Sequence, residues 1–146
     1  MARRGAARPF STAASEAGIV VNSLADEMVD DGNCTLREAL QAANTNAPVD
    51  GCRRGSPNVQ DRITFRGDGT IFLTDALAIT EGVQIQGNGQ EATILDGHGA
   101  ALDTALLHSS FTSHLPDVAL TELTVQHAKK VAGGSGGAVF SGTDVV

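Results

Sequence analysis

Four histidines and one acidic run are the residues whose types could do chemistry without help from a partner chain. His98, His108, His114 and His127 lie 10, 6 and 13 positions apart. None of these intervals has the short spacing that brings two imidazoles onto one metal ion, so the sequence predicts surface or turn histidines. Asp26, Glu27, Asp30 and Asp31 put four carboxylates into the six residues "DEMVDD". A hard cation such as Ca²⁺ takes roughly six to eight oxygens from flexible loops. The run lacks the Asp-x-Asp-x-Asp-Gly order and reads as a solvated acidic loop. Calcium is the single cofactor left open, and no other is expected.

Asp96 and Asp103 stand beside turns, and Lys129 and Lys130 follow the last long strand pattern. A glycosidase needs two carboxyls about 5–9.5 Å apart in environments that separate their pKa values. No pair in this sequence can be given those roles. A Gly-x-Ser-x-Gly elbow is missing, and "GNG" and "GGSGG" lack the lysine and following helix of a phosphate loop. The chain has no Trp and no Tyr, although aromatic side chains commonly line ligand sites. No catalytic and no metal-ligating residue is assigned.

The elements that would position such groups begin with "CTLREALQAANTNAPVDGC", Cys34 to Cys52. Thr35 and Glu38 form a capping box, in which the threonine hydroxyl accepts from the Glu38 amide and the glutamate reaches back to the Thr35 amide. Leu36, Ala39, Leu40 and Ala43 follow on one helical face. Asn44, Thr45 and Asn46 are weak helix formers and Pro48 prevents continuation, so a helix stopping near Asn44 is predicted. About three turns are too short to be stable alone; the Leu/Ala face must dock on something. The two cysteines sit in polar, turn-like sequence rather than on an apolar face. A Cys34–Cys52 bridge is therefore predicted, contributing ~3 kcal/mol.

Beyond Cys52 the pattern becomes short and β-branched. Strands are predicted over 62–65, 70–74, 77–80, 83–87, 93–97, 105–109, 118–126 and 137–141, with a further one over 19–23 before the helix. "GDGT", between Phe65 and Ile71, has the form of a hairpin turn, whereas most other connections are longer and do not match. Apolar pairs recur at Val83/Ile85, Leu106/Leu107 and Leu123/Val125, in steps of 23 and 17, near the roughly 20-residue period of a coiled β-solenoid. The first turn of such a coil exposes apolar side chains and strand edges. A preceding amphipathic helix would plug it, pinned by the disulfide.

Bulk composition narrows the partners. Three of the ten basic residues, Arg3, Arg4 and Arg8, fall in the first eight positions, leaving seven against 17 acidic groups. An acidic body without a Lys/Arg patch argues against nucleic acid and against an anionic membrane surface. The longest apolar run near the start, "AGIVV", is far shorter than the ~20 residues of a spanning helix. The leader "MARRGAARPFSTAASEAG" lacks the apolar core of a secretory signal and is expected to be disordered.

"GNCTLREALQAANTN" resembles the Cys-Ser/Thr-Leu-Arg-Glu-Ala motif that opens many right-handed parallel β-helix proteins of pectate-lyase-like fold. The resemblance runs on through "DRITF", "LAITEGVQIQGNGQEATILDGHG", "LTELTVQHA" and "GGSGGAVFS", roughly Ile19 to Ser141. It implies a large secreted or surface-displayed protein of a kind mostly without an assigned activity; a polysaccharide or cell-surface ligand is left open as its partner. The sequence thus predicts an all-β right-handed parallel β-helix, a partial solenoid with one N-terminal capping helix. Residues 1–18 form a leader, 19–61 the strand, helix and cysteine loop, and 62–146 the first turns of the coil. The expected function is the N-terminal cap region of a structural or adhesive surface protein. The alternative is the start of a polysaccharide lyase or glycoside hydrolase whose active face lies downstream. Self-association through the open C-terminal turn of the coil is also expected.

Overall fold

The computed structural model describes residues 18–97, 107–109, 118–127 and 139–141, the three-residue strands 107–109 and 139–141 by backbone only. Among the described residues ten short strands follow one another, with one helix between the first and the second. They are β1 (Gly18–Val21), α1 (Leu36–Thr45), β2 (Asp61–Phe65), β3 (Gly69–Phe72), β4 (Leu77–Ile79), β5 (Val83–Gln86) and β6 (Thr93–Asp96). β7 (Leu107–Ser109), β8 (Val118–Thr121), β9 (Thr124–Gln126) and β10 (Val139–Ser141) complete the series.

All strand pairs are parallel, and from β2 onward each sheet takes every third strand. The three sheets run β1-β2-β5-β8, β3-β6-β9 and β4-β7-β10. Parallel pairing is reached only through crossovers, here through the other two sheets. Alternation along each strand decides what points inward: β2 buries Asp61, Ile63 and Phe65, and β5 buries Val83 and Ile85. Ile19, Ile63 and Ile85 stack across the first sheet in register. They join Ile71, Leu73, Leu77, Ile79 and Leu95 in one apolar cluster.

This architecture corrects the expected all-β parallel β-helix. The described residues form a mixed α/β arrangement of three short parallel sheets, and α1 belongs to the same core. Its Leu36, Ala39, Leu40, Ala42 and Ala43 are buried in the cluster that the strands build. The connections on either side of β7 and before β10 lie outside the described residues, so no closed coil is traced through them.

Three local expectations are also corrected. "GDGT" makes no hairpin, because β2 and β3 enter different sheets. Asn88 instead holds this turn through the Phe65 and Gly67 carbonyls, both at 3.2 Å. The long strand expected over 118–126 is two strands, broken where Glu122 takes φ +54°. Gly87 is required opposite that break: its amide donates to the Thr121 carbonyl at 2.9 Å, and a Cβ there would overlap the Glu122 carbonyl oxygen. The apolar pairs singled out by spacing are not stacked on one another. Val83 pairs with Asp61 and Val118, whereas Leu107 pairs with Leu77 and Val139 in a different sheet.

Candidate functional site

The best-built region is the end closed by α1. The capping box is complete, with the Glu38 amide donating to Thr35 Oγ1 at 3.2 Å and the Thr35 amide to Glu38 Oε2 at 3.0 Å. Each partner also has a second task. Thr35 Oγ1 donates to the Glu27 carbonyl at 2.9 Å, and Glu38 Oε1 accepts the Val29 amide at 3.0 Å. The buried glutamate therefore ties the 26–31 segment to the helix start. Cys34 and Cys52 form a disulfide, with Cα atoms 4.8 Å apart, and both are buried.

α1 packs on β1 and β4, which are edge strands of two different sheets. It does more than cover apolar surface. Arg37 donates to the carbonyls of Asp75 and Ala76 at 2.9 and 3.0 Å. Asn44 donates to the Ala78 carbonyl at 2.9 Å and accepts the Thr80 amide at 2.8 Å. Side chains of the helix thus take backbone bonds along β4 that a further strand would otherwise claim, which is how an edge is kept from pairing with another chain.

The acidic run does not gather as one site. Asp26 makes a two-pronged ion pair with Arg37, both contacts 2.8 Å, and accepts the Thr74 amide and hydroxyl at 2.7 and 2.9 Å. Burial alone would raise the Asp26 carboxyl, but Arg37 and Thr74 outweigh it and hold it below the usual carboxylate range. Asp31 turns onto the Asn33 amide at 2.9 Å. Among the described residues, no group of three or more His, Cys, Asp and Glu side chains is arranged to hold a metal ion.

A second constellation lies on the outer face of the β3-β6-β9 sheet. Phe72, Asp96 and Gln126 are register partners. Phe72 is 53% exposed, while Asp96 is only 5% exposed. Gln126 Nε2 donates to Asp96 Oδ2 at 2.9 Å. His127 Nδ1 lies 2.9 and 3.0 Å from the two carboxylate oxygens. The imidazole is otherwise largely solvent-facing, so its Nε2 is the outward atom. This carboxylate–imidazole pair escaped the sequence reading because its members are far apart in the chain; only the parallel register joins them. His98, His114, Asp103, Lys129 and Lys130 lie outside the described residues, and His108 falls in β7.

A third feature is the corner where α1 ends. Asp61, 1% exposed, accepts the Ser56 amide on Oδ1 at 2.8 Å. Its Oδ2, and Oδ1 of Asn46, are buried without a hydrogen-bond donor among the described residues. Burial pushes the Asp61 carboxyl up to about 6; the Ser56 amide opposes this and the charge of Glu81 adds to it.

No helix among the described residues is long and apolar enough to cross a membrane. Compared with known proteins, the chain matches no protein-family model, no curated protein and no solved structure.

Proposed function

We propose that this chain is the helix-closed end of a secreted or surface protein with a structural or adhesive role. The supporting observation is the asymmetry between its two ends. At one, α1 and its side chains satisfy β4 and cover β1, and a disulfide clamps the helix. At the other, β8, β9 and β10 carry sheet edges with no strand partner among the described residues, which are surfaces onto which further parallel strands can be added. A bridge fits an oxidising compartment, where such bonds persist, and the resemblance of "GNCTLREALQAANTN" agrees with that location. The test is surface labelling of intact source cells with a membrane-impermeant amine reagent. Labelled protein with the Cys34–Cys52 bridge is expected; recovery only from the cytoplasm, with both thiols free, would overturn the reading.

A second reading, a carbohydrate-active protein, is favoured by the row Phe72–Asp96–Gln126 with His127. An exposed ring beside fixed polar groups is the chemistry that receives a sugar: the apolar ring face stacks, and the amide and imidazole reach the hydroxyls. Incubation with neutral and acidic polysaccharides, followed by assay for new reducing ends or unsaturated products, tests it. Products that persist in His127→Ala would remove this row from the account.

A further inference from the structure

We propose that residues 53–60, the connection between Cys52 and β2, form a pH-operated lid over Asp61, shut while that carboxyl is neutral and opened when it ionises. The inference goes beyond the proposed function and does not depend on it. It starts from a buried acid with one answered oxygen. Asp61 is 1% exposed. Its Oδ1 accepts the Ser56 amide at 2.8 Å, whereas Oδ2 has no hydrogen-bond partner among the described residues. Buried polar atoms are almost always satisfied, and each exception needs a physical reason. A neutral carboxyl tolerates such a place far better than an anion, which loses much more hydration there.

The loop itself is the cover. A Cβ on Gly55 would overlap Asp61 Oδ2 and approach Ala43 Cα at 2.8 Å. The buried Gly55 backbone therefore lies against both the carboxyl and the C-terminal half of α1. Light fastenings hold the loop there. The Gly55 amide donates to the Ala42 carbonyl at 3.2 Å, Arg54 donates to the Asn46 carbonyl at 3.3 Å, and the Ser56 amide is held by Asp61 itself. Arg53, Arg54, Pro57 and Asn58 are exposed, and Val59 is only partly buried. Segments with few buried apolar contacts are those that open locally, ahead of the global transition.

No neighbouring charge answers the exposed need of Oδ2. Glu81, in the β4–β5 turn, adds negative charge, and its Oε1 takes the Asn46 amide at 2.9 Å. Arg62, next along β2, points to the other face of the sheet and holds Gln84 at 3.1 Å. β5 presents Val83 opposite Asp61, and the last turn of α1 contains no basic residue. Arg53 and Arg54 stand on the lid. In the shut form burial raises the Asp61 carboxyl to about 6, against about 3.9 in water. Between those values the open form releases a proton that the shut form keeps, so opening becomes about tenfold more favourable per pH unit. The lid is most firmly shut below about pH 4, and opening levels off above about pH 6.

Amide hydrogen exchange on the 146-residue chain from pH 4 to 8, corrected for intrinsic exchange rates, is the test. Protection of the Gly55 and Ser56 amides should fall roughly 10- to 100-fold between pH 4 and 6 and stay level above. It should depend little on urea, because local opening exposes little surface, while the Ile63 and Ile85 amides keep the steep slope of global unfolding. Asp61→Asn should hold the Gly55 and Ser56 protection constant over the whole range. Should that variant fail to fold, the pH and urea profiles of the wild-type amides carry the decision. Protection in the wild type that ignores pH would overturn the proposal, as would a fall that survives Asp61→Asn. Gly55 and Ser56 amides that share the urea slope of Ile63 would overturn it too, since the loop would then open only with the whole molecule.

Discussion

Asp26 and Asp61 are both buried carboxylates, answered to different extents. Asp26 is nearly buried, yet Arg37 meets both of its oxygens and Thr74 adds two donors, so its ionised form is the stable one. Asp61 is equally buried with one oxygen answered, and its folded-state pKa lies near 6, above the ordinary aspartate value of about 3.9. The folded state therefore holds a proton that the unfolded state has lost between about pH 4 and pH 6. Stability from this group is fully present below about pH 4 and is lost as pH rises through 6, on the order of 2–3 kcal/mol. Burial is the main cause of this rise; the charge of Glu81 adds to it and the Ser56 amide opposes it. Asp26 works in the opposite direction, its contribution being lost only as pH falls below about 4. Asp61→Asn should flatten the pH dependence of urea unfolding between pH 4 and 6; an unchanged slope would show that another group carries it.

The helix shows how much a short element can be asked to do. In isolation three turns with an Asn-Thr-Asn end would fray. Here the turns are held by the capping box, the disulfide and five buried apolar side chains. Leu40, 2% exposed, sits at the centre of that face. Leu40→Ala should cost about 2–5 kcal/mol, and Leu40→Asp, which buries an unpaired charge, should leave the chain unfolded or aggregated. A melting temperature for Leu40→Asp equal to wild type would exclude the docking face. Reduction of Cys34–Cys52 should lower stability by about 3 kcal/mol without dissolving the strands, because β2, β5 and β8 pair outside the bridged loop. Parallel loss of far-ultraviolet signal and the bridge would contradict that separation. The capping box, the helix face and the cysteine pair were all legible in the sequence because each rests on contacts within a few turns of chain. The backbone bonds of Arg37 and Asn44 along β4 were not, since nothing local reveals that a helix side chain will stand in for a strand.

At the level of the whole molecule, three parallel sheets are threaded by a chain that changes sheet every few residues, and small residues at the changes make this geometrically feasible. Gly87→Ala tests the arrangement: its Cβ would meet the Glu122 carbonyl oxygen and the Leu123 and Thr93 side chains, so a loss of about 1–3 kcal/mol is expected in chemical denaturation. A neutral result would show that the β5–β6 turn does not lie against the β8–β9 break. Most strand positions could be located from β-branched alternation, but their partners could not. Periodicity matched Val83, Leu106 and Leu123, whereas the sheets pair Val83 with Asp61 and Val118 and place Leu107 elsewhere, because turn lengths between strands are unequal and no local pattern encodes register. The same holds for chemistry. The amino-acid order by itself determined the acidic balance, the capped helix, the bridge and the succession of short strands, all properties of neighbours along the chain. Tertiary structure alone decided that a core helix makes the fold mixed, that Asp96 meets His127 and that Asn46 meets Glu81. The two side-chain contacts join residues 31 and 35 positions apart, and only packing selects which distant groups lose their water together.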